Sequence, residues 1–319
     1  CFPLFGLFSL SMGITLILPD INPSKPASVN PEKIVEPIIK FGITNCFASP
    51  AIWNNVCKYC QEKNITLPSL KIALAAGAPI SGKIIHALCE SVLPKDGDVF
   101  TPYGATESLP VASISGRERL KNTQQKTNEG AGICVGKPLP EVFVKVVQIT
   151  DNQISTFSND IELPPGKIGE IIVKSKTTTK KYFRKEEKTK MAKIIDGENL
   201  WHRMGDVGYL DENNSLWFCG RKDHRVTLNE KEVLFTIPCE AIFNQHPKVN
   251  RTALILSKNK QGLPEAVIVI ELAKEYWNGR NETLAHEILQ LGQKFEHTKK
   301  IKKAAFYQNF PVDVRHNAK

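Results

Sequence analysis

The sequence predicts an α/β protein: a largely parallel sheet with crossover helices, then a smaller β-rich unit, then a compact α+β module. Three observations carry this. Apolar strand-like runs alternate with helix-like runs through about residue 110, as parallel strands joined by crossovers require. After Gly130 the texture changes to short segments, "EVFVKVVQI", "GKIGEIIVKS" and "NSLWFCG", parted by Pro164-Pro165-Gly166 and Asn213-Asn214. Beyond Arg221, helix-like and strand-like runs mix within a short span.

Taken in order, "FPLFGLFSLSMG" reads as a buried helix and "GITLILPD" as the buried strand that follows it. A helix is expected to end near Phe41, with a strand at "TNCFASP". In "NNVCKYCQEKN", Cys57 and Cys60 fall on successive turns of a helix as small apolar residues. "LKIALAAGAPIS" is a strand running into a tight turn. The last part offers the helix "IPCEAIFNQHP", strands "RTALILS" and "EAVIVIEL", the helix "ETLAHEILQLGQKF" and a closing strand "KAAFYQNF".

A length of 319 residues fits two domains. The net charge of +9 opens three possibilities, namely nucleic acid, an anionic membrane surface or a phosphate-bearing substrate. The excess is not gathered into one block. Its densest part, "KSKTTTKKYFRKEEKTKMAK", is interleaved with Glu186 and Glu187 and reads as a solvated surface loop, so nucleic acid is not expected as a partner. Of eight cysteines only Cys57 and Cys60 form a CxxC, with no second pair to complete a zinc site. That usage fits a reduced, cytoplasmic compartment. The opening apolar run lies at the lower edge of spanning length. Pro3, Gly6, Ser9, Ser11 and Gly13 interrupt it and no basic residue precedes it, so no membrane span is expected. The chain opens at Cys1 rather than Met, and is expected to begin inside a domain of a longer protein.

The chemistry concentrates in three stretches. "TPYGATESLP" carries prolines at Pro102 and Pro110 that argue against helix or strand running through it. There the ring of Tyr103 suits stacking on a purine, and Gly104 permits close backbone approach. The Thr106 hydroxyl suits a phosphate oxygen, and the Glu107 carboxylate a hard cation such as Mg²⁺. Taken alone, the stretch is equally a structural turn with a helix-capping threonine. "ALAAGAPIS" sets Gly77, Ala78 and Pro79 at a strand end, where ligands of open α/β sheets bind. In "WHRMGDVGYLDENNSLWFCGRKDHRV", Asp206 offers two oxygens to a vicinal diol and Arg221 a planar fork to the same ribose or a phosphate. A calcium loop starting at Asp211 is excluded, because Leu216 stands where glycine is needed and Lys222 where a bidentate Glu is needed.

In this order, "GAPIS", "YGATE" and "GDVGYLDENNSLWFCGRKD" resemble the core motifs of the adenylate-forming superfamily of acyl-CoA synthetases, luciferases and peptide-synthetase adenylation domains. The resemblance covers nearly the whole chain. It implies an adenylate-forming fold in which residues 1–221 are the C-terminal portion of the large domain and 222–319 a mobile lid. It further implies that Gly77, Ala78, Pro79, Tyr103, Gly104, Thr106, Asp206 and Arg221 bind ATP or AMP. By the same comparison Glu107 holds Mg²⁺ and Asp223 is the hinge. Lys319, with Thr106 and Glu107, acts in catalysis, an ammonium there offsetting charge on a phosphoryl group in transfer. The superfamily's Ser/Thr/Gly-rich phosphate loop would lie upstream of residue 1, so this piece alone is expected to turn nothing over.

"WHRMGDVGYLD", "FTIPCEAIFNQHP" and "VDVRHNAK" look most like the superfamily members that make β-lactones in bacterial long-chain olefin biosynthesis. That likeness implies an AMP-forming ligase acting on a long-chain 3-hydroxy fatty acid, with Phe5 and Phe8 lining the acyl pocket. A long-chain acyl-CoA synthetase, using CoA as well, is the alternative. Leu228-Asn229-Glu230 stands where acyl-CoA synthetases of this pattern usually carry a Gly-Gly pair, which weighs against thioester formation. Lactone closure needs a base for the hydroxyl proton, and His202 and His224 are the candidates. An enzyme that supplies the hydroxy acid and one that processes the lactone are implied as partners.

Overall fold

Capping chemistry sets the helix limits in the first part of the chain. The computed structural model describes residues 3–22, 25–277 and 281–311, and of residues 3–5 the backbone alone. After α1 (Pro3–Ser11) comes α2 (Glu32–Phe41), ended by Gly42 at φ 59°, a left-handed conformation that glycine adopts at low cost. β1 (Asn45–Ala48) leads to α3 (Pro50–Lys63), whose first turn is capped by the Ser49 hydroxyl accepting from the Ile52 amide. β2 (Ile72–Ala75), α4 (Gly82–Ala87), β3 (Asp98–Phe100) and the short α5 (Gly116–Glu118) follow.

β1, β2 and β3 form a parallel sheet in that order. Its core gathers Trp53, Val56, Leu67, Leu70, Ile85 and Val99. The Trp53 indole N–H donates to the Leu74 carbonyl at 2.9 Å, so the ring is buried without stranding its donor. Cys57 and Cys60 sit on α3 as buried thiols, as their spacing predicts.

The opening run departs from expectation. α1 forms, but Leu7, Phe8 and Leu10 are 62%, 45% and 59% exposed, and residues 14–19 are not a strand. Alternation and apolarity supply a strand's side chains but not its hydrogen-bonding neighbour. Among the described residues the parallel sheet stops at β1.

The chain falls into two compact units. One takes the residues up to Pro102 together with Ser113–Asn122, and the other Tyr103–Ala112 with Thr123–Phe310.

The second unit opens with β4 (Tyr103–Ala105) and β5 (Ser108–Ser113), then α6 (Gln124–Asn128), β6 (Ile133–Pro138), β7 (Phe143–Val147) and β8 (Gly169–Lys174). α7 (Glu186–Ala192), β9 (Lys193–Asp196), β10 (Asn199–Leu210) and β11 (Leu216–Arg221) complete its sheet. The strand order is β4-β5-β6-β11-β10-β8-β7, with β9 on β10. Successive residues of β8 serve opposite faces, Ile171 and Val173 packing with Leu216 while Ile172 packs with Ile194 and Trp201.

One expectation about "YGATE" is corrected here. Tyr103–Ala105 is β4 and Thr106-Glu107 the turn to β5, so strand does run through this stretch and past Pro110. The proline is tolerated against β4 because it falls inside the irregular part of that pairing, between Ala105↔Ser108 and Tyr103↔Ala112.

The last part of the unit has the expected α+β elements. They are β12 (Val226–Asn229), β13 (Glu232–Leu234), α8 (Thr236–Phe243), β14 (Val249–Lys258), β15 (Pro264–Leu272), α9 (Glu282–Gly292) and β16 (Lys303–Phe306). β14 pairs antiparallel with β15, which pairs parallel with β16, over a core of Phe243, Ile268, Ile270, Ile288 and Ile301. Among the described residues no helix is long and apolar enough to cross a membrane.

Candidate nucleotide site

Asp206 is the centre of the site. It stands on β10 just after Gly205, whose φ of +67° marks an irregular stretch where the register against β8 shifts between Arg203 and Val207. Such a bulge re-aims the side chain that follows it. Asp206 lies across from Arg221 in the β10–β11 ladder. Its carboxylate is 5% exposed and accepts from the Arg221 guanidinium at 2.7 Å on Oδ1 and from the Tyr103 hydroxyl at 2.7 Å on Oδ2. Tyr103 in turn packs at 6.0 Å, ring centre to ring centre, from Phe218. Three residues singled out from two separate motifs therefore form one hydrogen-bonded unit.

The electrostatics favour a held donor. Burial pushes the Asp206 carboxyl up, and Arg221 and Tyr103 only partly pull it back. Burial and the Asp206 charge together push the Tyr103 phenol well above its ordinary value, so it stays protonated. A carboxylate accepts at about four lone-pair sites. Two are taken here, which leaves two for the paired hydroxyls of a diol. The Arg221 side chain is 55% exposed and can serve a ligand as well as Asp206.

Gly104 and Glu107 belong to the same hairpin. A Cβ on Gly104 would sit 2.9 Å from the Ser108 carbonyl oxygen, so only glycine closes this turn without displacing backbone. Thr106 is exposed at the tip. Glu107 accepts the Tyr182 hydroxyl at 2.8 Å on Oε1, and its backbone carbonyl accepts the Thr179 amide at 2.8 Å. Burial raises the Glu107 carboxyl, but the Tyr182 hydrogen bond, its own amide and the His202 and Lys193 charges outweigh that, and it is held below its ordinary value. Among the described residues no group of three or more His, Cys, Asp or Glu could by itself hold a metal ion. One ionised carboxylate nevertheless suits Mg²⁺, which commonly takes one or two protein carboxylates and completes its shell with phosphate oxygens and water.

Sequence reasoning missed Tyr182 and Lys193. Both lie in the lysine-rich stretch read as a solvated loop. Most of that stretch is exposed, yet Lys193 is 6% exposed, with its ammonium donating to the Thr179 carbonyl. Burial pushes the Lys193 amine down to about 8 against the pull of Glu107. His202, a candidate base, is 2% exposed with Nδ1 3.2 Å from the Ala192 carbonyl, and His224 lies exposed in a single turn, Lys222–His224.

Burial, reinforced by Lys193, pushes the His202 imidazole down to about 4 against the pull of Glu107. The unfolded chain therefore binds a proton that the folded one refuses. This contribution to stability is complete above the ordinary value of 6.5 and is lost as pH falls toward 4. At roughly 1.4 kcal/mol per unit the loss approaches about 3 kcal/mol. Unfolding measured at neutral and acid pH is expected to show a smaller acid loss in His202→Gln than in the parent; an equal loss would remove His202 as the group responsible.

The other sequence candidates fall as follows. Gly77, at φ +94°, Ala78 and Pro79 form the turn after β2, at the carboxyl end of that parallel strand. Asp223 is exposed in the same turn as His224. Phe8 lies on α1, 45% exposed. The side chain of Phe5 and the whole of Lys319 lie outside the described residues.

A parallel α/β sheet, a β-rich sheet and an α+β part together make an adenylate-forming fold, as the likeness to solved structures shows. The chain belongs to the AMP-binding enzyme family, which matches residues 2–183. It is 40% identical over 323 residues to the olefin beta-lactone synthetase of Xanthomonas campestris pv. campestris and 37% identical over 325 residues to that of Stenotrophomonas maltophilia. Each match covers 100% of this chain and 57% of the relative, so the chain spans little more than half the length of these proteins. Among solved structures it resembles the O-succinylbenzoate Coenzyme A synthetase of Bacillus subtilis in complex with AMP. There the TM-score is 0.72 at 20% identity, covering 98% of this chain and 56% of that one.

Proposed function

We propose that the protein to which this chain belongs is an ATP-dependent, AMP-forming acid ligase that activates a long-chain 3-hydroxy fatty acid and closes it to a β-lactone. The observation that carries the reading is the bonded set Tyr103–Asp206–Arg221, a buried carboxylate with two acceptor sites left for a ribose diol and an aromatic ring beside it. The identity of 37–40% to two olefin beta-lactone synthetases supports a β-lactone as the product.

In the first step the acid's carboxylate oxygen attacks the α-phosphorus of ATP, the bond to pyrophosphate breaks, and acyl-AMP forms. Tyr103 and Gly104 are assigned to the adenosine and Thr106 to a phosphate oxygen, and the Gly77-Ala78-Pro79 turn is assigned to ATP or AMP by resemblance. Glu107 would hold Mg²⁺, which supplies charge neutralisation at the phosphates. Lys319 is assigned by resemblance to the same developing charge, Asp223 to the turning of the C-terminal part, and Phe5 and Phe8 to the acyl chain. In the second step the substrate's own 3-hydroxyl oxygen attacks the activated carbonyl carbon, the acyl–phosphate bond breaks with AMP leaving, and the hydroxyl proton passes to a base.

That attack is intramolecular and needs no second substrate. The β12–β13 hairpin supports this, since Leu228-Asn229-Glu230 there is glycine-free and Asn229 Nδ2 donates to Glu232 at 3.0 Å. Chemistry of this kind needs one enzyme class that supplies a 3-hydroxy acid and another that consumes a β-lactone.

The test uses the full-length protein with ATP, Mg²⁺ and a long-chain 3-hydroxy acid, with and without CoA. The reading expects AMP release without CoA and a product lighter than the acid by one water in mass spectrometry. AMP release only with CoA, and a thioester product, would replace lactone closure with acyl-CoA synthesis.

A further inference from the structure

Among the described residues Tyr182 is the side chain that hydrogen-bonds the Glu107 carboxylate, and nothing in the reaction above uses it. It stands 75 residues away in sequence, in the loop between β8 and α7, and its hydroxyl donates to Glu107 Oε1 at 2.8 Å. The loop is fixed to the hairpin at further points. The Thr179 amide donates to the Glu107 carbonyl at 2.8 Å, and Ser108 Oγ meets Thr178 Oγ1 at 3.0 Å. Lys193, one residue past α7, ties Thr179 down through its carbonyl and hydroxyl oxygens. Tyr182 itself is anchored by its amide donating to Thr189 Oγ1 at 3.0 Å.

A carboxylate on a hairpin tip has free rotation about its last bonds, and a cation that also binds phosphates needs it in one orientation. A phenol occupying Oε1 fixes the carboxylate plane and leaves Oε2 as the oxygen for a cation. It donates without adding charge, so it orients the ligand without competing with the cation. We propose that Tyr182 is a positioning residue that holds Glu107 in the orientation in which Oε2 binds the divalent cation shared with the nucleotide. This rests on the assignment of Glu107 to Mg²⁺ given above. Outer partners of this kind typically change metal affinity by about 10- to 100-fold when removed.

The test compares the full-length protein with Tyr182→Phe and Glu107→Gln. Mn²⁺ is titrated into each protein with a non-hydrolysable ATP analogue and followed by electron paramagnetic resonance, and the Mg²⁺ dependence of adenylation is measured alongside. Tyr182→Phe is expected to weaken Mn²⁺ binding about tenfold and raise the half-saturating Mg²⁺ similarly, with the maximal rate at excess Mg²⁺ and the thermal midpoint nearly unchanged. Glu107→Gln is expected to weaken the ion more. If Glu107→Gln weakens it and a folded Tyr182→Phe does not, the positioning role is overturned and the Glu107 assignment stands. If neither changes cation binding, the Glu107 assignment fails and the role of Tyr182 falls with it. Should Tyr182→Phe not fold, Tyr182→His, which keeps a ring N–H donor, is measured instead. It is expected to bind Mn²⁺ more tightly than Glu107→Gln, and equal weakening in the two would overturn the proposal.

Discussion

Replacing Arg203 by methionine is expected to lower the unfolding free energy by about 3–5 kcal/mol, the loss that follows when one member of a buried ion pair is removed. The Arg203 and Glu170 side chains are 3% and 1% exposed and meet at 2.7 and 3.1 Å through a two-pronged contact. The same guanidinium donates to the carbonyls of Thr150, Asn152 and Met191, which closes two stretches of chain around it. Methionine fills much of the space and supplies none of these bonds. Glu170 is left with Lys222 at 3.5 Å as its remaining cation. A paired change, Arg203→Met with Glu170→Leu, removes both charges and is expected to cost less than the two single changes added together, by about 0.5–3 kcal/mol. Urea unfolding of the four proteins measures this, and strict additivity would show that the pair does not act as a unit.

Asp206→Ala is expected to reduce kcat/KM for adenylation about 100- to 1000-fold. The substitution removes the acceptor that joins Tyr103 to Arg221 and both sites left for the diol. Hydrogen bonds to a charged group contribute about 1.5–3 kcal/mol each, and about 1.4 kcal/mol is tenfold. Asp206→Asn keeps one acceptor oxygen and is expected to fall less, by roughly tenfold on the same scale. Stability should move the other way. Burial raises the Asp206 carboxyl above its ordinary value, so ionisation is disfavoured by folding and costs stability as pH rises through the folded value. Asp206→Asn therefore should not lower the unfolding midpoint at neutral pH. An asparagine variant that is less stable and equally active would contradict both halves of the argument.

What could be read from the sequence was what is local. Tyr103, Asp206 and Arg221 sit in two stretches whose residue types suit a nucleotide; the β10–β11 ladder places Asp206 opposite Arg221 within one of them, and the Tyr103 hydroxyl joins the other to it. The α+β part was legible because its helices and strands are strongly patterned. Four features were not legible. Residues 14–19 have a strand's composition, but a strand depends on a neighbour that the pattern does not contain. Pro110 obeyed the exception to the proline rule, through an irregular pairing that only the hairpin's geometry reveals. Tyr182 and Lys193 were hidden among surface lysines, and their link to Glu107 spans 75 and more residues, a distance over which composition carries no register. Arg203 and Glu170 likewise meet only through the offset of β10 against β8.

Acid-dependent exchange of labelled pyrophosphate into ATP by the full-length protein tests the central claim most directly, because it reports formation of acyl-AMP whatever happens to that intermediate afterwards. The account predicts exchange that requires a long-chain 3-hydroxy acid and Mg²⁺ and is nearly lost in a folded Asp206→Ala protein. Exchange that proceeds unchanged in Asp206→Ala, or its absence from the parent protein with every 3-hydroxy acid offered, would contradict it.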